Sequence, residues 1–161
     1  MGVNKKSIII FSIIVMGAIL LVIYMKHERI RYGENVETLQ SLFPDFSGIE
    51  SCQYKVKKIG NPLFDFIGPS NYHVTAVITI DSDEMERIVN QYEAEKRDIY
   101  SEDEQIKIDI EKRLIDNTGI DNETVWTFNQ EFRMSVLGWR YVGEVYFAEE
   151  ENAVYIDAEN L

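Results

Sequence analysis

Residues 68–84, GPSNYHVTAVITIDSDE, hold the chain's densest run of side chains able to do chemistry: Ser70, His73, Asp81, Asp83 and Glu84. Nucleophilic catalysis is the first chemistry those types suggest, and it needs a base within hydrogen-bond reach of a serine or cysteine. His73 is the one histidine beyond residue 31. Ser70 stands in GPSN, which lacks the Gly-x-Ser-x-Gly turn that presents a nucleophile at a strand-to-helix junction. Cys52, the single cysteine, shares the apolar side of a strand with Tyr54 and Val56, whereas His73 falls on the more polar side of the next strand. Two strands that turn their apolar sides to one core point Cys52 and His73 apart. Neither pair is expected to act on a substrate.

Metal binding is the second chemistry. No Cys-x-x-Cys and no histidine pair at ligand spacing is present, so a structural zinc site is not expected. DNTGIDNE, residues 116–123, resembles a calcium loop in composition only: its glycine is fourth rather than sixth, and its glutamate comes too early. Asp81, Asp83 and Glu84 remain as residues that could hold a divalent cation. The competing reading is local. Asp81 or Ser82 stands where a helix N-cap belongs, Asp81-x-x-Glu84 has capping-box spacing, and first-turn acids complement the helix dipole. We favour the cap, and no metal or cofactor is expected. The chain also lacks a glycine-rich phosphate loop.

The elements around these residues follow from periodicity. Val36, Leu39, Leu42 and Phe43 share a helical stripe that Pro44 ends. Residues 49–58 and 72–81 alternate like half-buried strands, joined by the breaker-rich loop GNPLFDFIGPSN. The apolar loop residues Leu63, Phe64, Phe66 and Ile67 are expected to fold back over the core. After DSDE the period switches, with Met85, Ile88, Val89 and Tyr92 on one helical face. Residues 101–116 open with a Ser-x-x-Glu cap pattern and carry Ile106, Ile110 and Leu114 at helical spacing, yet IKIDI alternates like a strand; both readings stand. Residues 124–137 take no assignment. Residues 139–148 and 153–159 read as a terminal hairpin with Trp139, Tyr141, Val145 and Phe147 facing Val154 and Ile156. The expectation is an α+β domain with an antiparallel sheet of about four strands and two to three helices.

The amino-terminal region reads differently. Residues 7–25 carry no charge. Nineteen helical residues would rise roughly 28 Å, close to the ~30 Å hydrocarbon core of a bilayer. The reading is a short tail (1–6), a single-pass transmembrane anchor in the lipid bilayer (7–25), a stalk (26–33) and an acidic globular domain (34–161) held at the cell membrane. A short amino-terminal tail places that domain outside the cytoplasm.

Beyond residue 31 there are 11 lysines and arginines against 27 aspartates and glutamates, a net charge of −16. Such a surface repels nucleic-acid phosphates and suits a cationic partner. With an acidic domain and no catalytic set, the expected function is a non-enzymatic interaction domain, in its most specific form an immunity-type protein that neutralises a cationic toxin. The alternative is a tethered hydrolase that works with paired carboxylates.

Overall fold

The computed structural model describes residues 11–21, 30–44, 46–59, 71–93, 105–116 and 118–160. Among them, seven strands form one antiparallel sheet: β1 (Ile30–Gly33), β2 (Ile49–Ile59), β3 (Asn71–Ile80), β4 (Gln105–Lys107), β5 (Val125–Phe128), β6 (Tyr141–Ala148) and β7 (Ala153–Asn160). Their spatial order is β1-β2-β3-β7-β6-β5-β4. The helices are α1 (residues 11–21), α2 (Val36–Leu42), α3 (Ser82–Glu93), α4 (Lys112–Ile115) and α5 (Gln130–Leu137).

The four-strand expectation is thereby corrected to seven. The four strands legible by alternation are the long central ones, β2, β3, β6 and β7. The three that escaped, β1, β4 and β5, have 4, 3 and 4 residues, too few for a period of two to stand out. Part of the expected stalk is β1, whose Ile30–Gly33 pairs with Tyr54–Lys57 of β2.

The single-pass anchor is also corrected. Residues 11–21 are helical, but eleven residues rise only ~16 Å. Among the described residues no helix is long and apolar enough to cross a membrane. That finding removes the basis for the single-pass cell-membrane localisation. Residues 7–10 and 22–29 lie outside the described residues, as do the loop 60–70 and the cap pattern at 101–104.

Alternation along the strands gives the sheet two faces. The first is apolar and carries α2, α3 and α5. Val74, Ala76, Ile78, Val145, Val154 and Ile156 from the strands pack there with Leu39, Met85, Ile88 and Phe132 from the helices and Phe43 from the end of α2. The α3 stripe of Met85, Ile88, Val89 and Tyr92 is buried against it. Cys52 belongs to the same cluster. Asn129 caps α5, its Oδ1 accepting from the backbone N–H groups of Glu131 and Phe132 at 3.0 and 2.9 Å. This accounts for 124–137: a short strand, a cap, and two turns of helix.

The second face is covered over only part of its area. There Val77, Tyr155, Tyr146, Ala148 and Ala153 meet Ile110, Leu114 and Ile120 from the connection that follows β4, and Trp126 from β5. The two readings of residues 101–116 divide between strand β4 and the single turn of α4. Ile106, Ile108 and Ile110 alternate on the side that packs against this cluster, so here the β-branched period of two prevails over the helical stripe.

Trp139 is a further correction. It is 81% exposed rather than on the hairpin's buried side. Residues 138–140 form a turn, with Gly138 at φ 57°, and β6 begins only at Tyr141. Parity counted back through a turn says nothing about burial.

Candidate functional site

The register sets the second face out in rows. Tyr32, Lys55, Thr75, Asp157 and Glu144 stand side by side on β1, β2, β3, β7 and β6. The next row outward is Ile30, Lys57, His73, Glu159 and Val142. The row inward is Gln53, Val77, Tyr155, Tyr146 and Phe128, where the covered core begins. Among the described residues nothing covers the outermost row or the Thr75, Asp157 and Glu144 end of the row beside it. Between them runs an open groove of about 430 Å³, lined by Lys57, Ile59, His73, Val142, Gly143, Glu144, Asp157 and Glu159.

The border between covered and open area is held by charge. Glu111, just before α4, accepts from the Tyr32 hydroxyl at 2.5 Å and from the Lys55 ammonium at 2.5 Å. The Arg113 guanidinium lies 3.9 Å from the centre of the Tyr32 ring. Lys55, hydrogen-bonded to Glu111, holds that carboxyl below its usual range, with the Tyr32 hydroxyl adding to the effect.

Inside the groove His73 pairs with Asp157, and Thr75 donates a long 3.5 Å hydrogen bond to the same carboxylate. The Tyr146 hydroxyl donates to Glu144. Gly143 lies at the groove floor, where β6 and β7 approach so closely that an added Cβ would collide with the backbone of Asp157 and Ala158. The Gly143 carbonyl accepts from Arg133 Nε at 2.5 Å. That contact ties α5 to the stretch of β6 that β5 does not reach, and so covers a sheet edge.

The residues singled out from the sequence are dispersed. Cys52 is on the first face, opposite Ile78, and His73 is on the second. Burial pushes the Cys52 thiol up to about 11, which keeps it protonated and unreactive. Ser70 lies outside the described residues. Asp81 is the α3 cap: its Oδ1 accepts from the Glu84 backbone N–H at 2.8 Å. The capping box is only half made. The Asp81 backbone N–H donates to Gly48 O at 3.0 Å, and the Glu84 carboxylate turns instead to Ser47 and Arg87. Gly48, at φ 72°, adopts a backbone conformation that a side chain would strain. Arg87 draws the Glu84 carboxyl below its usual range. Asp83 sits exposed in the first turn of α3. In the calcium-like loop, Asp121 Oδ1 accepts from the backbone N–H groups of Glu123 and Thr124, which closes a turn. Among the described residues no group of three or more histidine, cysteine or acidic side chains is arranged to hold a metal ion.

What the sequence reading missed is the contribution of the terminal hairpin. Glu144 on β6, and Asp157 and Glu159 on β7, fall on the side opposite Val145, Ile156 and Ala158. The signal was present as alternation. It was not paired with His73 because the β3–β7 register is a long-range fact. No protein-family model matches the chain, and no curated protein or solved structure matches it.

Proposed function

We propose that the chain is a non-enzymatic interaction domain whose contact surface is the open half of the second sheet face. Its partner is a protein that presents a cationic segment, and the most specific form is immunity-type neutralisation of a basic toxin. The observation that carries this reading is the groove itself. The groove lining puts three carboxylates, from Glu144, Asp157 and Glu159, beside one lysine, Lys57, and one histidine, on an area that no other described element covers. No serine or cysteine lines it. The excess of acid in the whole domain would draw a basic partner from a distance and steer it there.

A photo-crosslinking residue in place of Val142, in the full chain and in the cells that make it, tests this reading. The expected product is a one-to-one adduct with a basic protein that disappears when Glu159→Lys is added. The same crosslinker at Glu150, on the β6–β7 turn, should capture nothing comparable. Equal capture from both positions, or none from Val142, overturns the reading. Turnover of a polymer that stops in Asp157→Asn would replace it with the carboxylate-dependent hydrolase.

A further inference from the structure

β1 stands at one edge of the sheet, and it pairs with only Tyr54–Lys57 of the eleven-residue β2. None of its four residues is buried. Ile30 is 40% exposed, Arg31 is exposed, and Gly33 has no side chain to pack. At Gly33 the backbone lies so close to the Tyr54 ring that an added Cβ would collide with it. Tyr32, itself half-buried, is the one β1 side chain that packs against a core cluster of the described residues.

Tyr32 is held from outside its own strand. Its hydroxyl donates to Glu111, which also accepts from Lys55 of β2, both at 2.5 Å. The Arg113 guanidinium lies 3.9 Å from the centre of the ring, and the Lys55 ammonium 5.9 Å from it. The chain after β1 is a fixed point. Asn35, two residues past Gly33, caps α2: its Oδ1 accepts from the Thr38 backbone N–H at 2.7 Å, and Leu39 of that helix is fully buried. Beyond its backbone pairing, then, the hold on β1 among the described residues rests on one phenol.

Leaving the sheet costs β1 a short run of exposed backbone hydrogen bonds and one half-buried ring, while the released residues regain backbone freedom. For β3 and β7 the same movement would expose Val74, Ala76, Ile78, Val154 and Ile156, all fully buried. Elements with few buried contacts and solvent-exposed backbone bonds open ahead of the rest of a fold.

We propose that β1 is a strap that opens from the β2 edge as a unit, hinged at Glu34 and latched by the Tyr32–Glu111 hydrogen bond, while the rest of the sheet stays folded. The open state bares the β2 backbone groups between Tyr54 and Lys57 that face β1, and it widens the approach to the lysine side of the open face. The strap does not depend on what that face binds.

Native-state hydrogen exchange of the full chain, read residue by residue by NMR in rising sub-denaturing urea, tests the strap. The β1 amides, and the β2 amides that donate to β1, should be protected and should exchange through an opening with little urea dependence, because little surface is exposed. The amides of β3 and β7 should exchange only with global unfolding. Tyr32→Phe and Glu111→Ala should each speed β1 exchange by about three- to ten-fold. Global exchange should rise by the same factor, since every state with the strap open shares the lost contact. Ile88→Val, which loosens the fully buried first-face core far from the latch, should speed β3 and β7 and leave β1 exchange unchanged. The strap is overturned by β1 amides that show no protection, or that share the rate and urea dependence of β3 and β7. It is equally overturned by β1 exchange that rises with Ile88→Val or fails to rise with either latch variant.

Discussion

The two halves of the second sheet face are built on the same strands and the same alternation, yet one is covered and the other is open. In the covered half Val77, Tyr155 and Tyr146 stand in a row and meet Trp126, Leu114 and Ile110. In the open half, two rows further along, the same strands present Lys57, His73, Glu159 and Val142. A chain segment laid over the apolar rows gains the transfer free energy of everything it buries. Laid over the charged rows, it would have to desolvate carboxylates and ammonium groups. The crossover through α4 stops at the row where Glu111 can still reach Lys55 and Tyr32. Among the described residues cover therefore ends where polarity begins, and what they leave open is the surface with charge to offer.

The largest expected effect breaks the covered half. Trp126 is fully buried and packs 5.9 Å, centroid to centroid, from Tyr155. Trp126→Ala should cost ~3–5 kcal/mol in chemical denaturation. Trp126→Phe should cost much less, and for a specific reason. The indole Nε1 has no hydrogen-bond partner among the described residues, so removing it relieves a desolvated donor while the ring keeps much of its volume. Equal losses in the two variants would show that the indole N–H does find a partner in solution.

The next effect compares acids that serve the backbone with acids that do not. Asp81 caps α3, whereas Asp83 is exposed one step into the helix. Asp81→Ala should destabilise by ~0.5–2 kcal/mol, and Asp83→Ala by less than ~0.5 kcal/mol. Millimolar calcium or magnesium should leave the melting temperature of the full chain unchanged, because a cation that bound only the folded state would raise it by mass action. A rise abolished by Asp83→Asn would make the α3 start a metal site.

How much of this was legible depended on range. The central strands and the α3 stripe could be read because Val74, Ala76, Ile78 and Met85, Ile88, Tyr92 each repeat their period several times within one element. β1 and β5 were not, because four residues hold only two periods and their identity as strands comes from the partner beside them. The Asn129 cap was readable in principle, since asparagine two residues before a glutamate opens a helical run. The groove was half legible. Placing His73 on the polar side of β3 needed only parity. Placing it beside Asp157 and Glu159 needed the antiparallel pairing of residues more than eighty positions apart.

The border between the two halves should respond to acid. Glu111 has its carboxyl held down first by Lys55, and a group whose folded pKa is depressed stabilises the fold above its unfolded value, ~4.3. That contribution is present at neutral pH and is lost as pH falls through the folded value. Solvent screening of this half-exposed pair keeps it small. Glu111→Gln should therefore lower stability slightly at neutral pH and flatten the acid limb below about pH 4. Identical acid limbs in the two proteins would show that the crossover is held by Leu114 and Ile110 alone.

The smallest expected effect comes from the second tryptophan, and it sharpens the contrast most directly. Trp139 and Trp126 are the chain's two indoles, one 81% exposed and the other fully buried. The Arg140 guanidinium lies 5.6 Å from the centre of the Trp139 ring, a surface arrangement that adds little to folding. Trp139→Ala should change stability by less than ~0.5 kcal/mol. The fluorescence should nevertheless divide cleanly. Iodide should quench the wild-type emission in part, and in Trp139→Ala the remaining emission should be blue-shifted and resist quenching, because only the indole over Tyr155 is left. A loss of stability comparable to that of Trp126→Ala would mean that Trp139 is core after all, and that the strand following Gly138 begins two residues earlier than Tyr141.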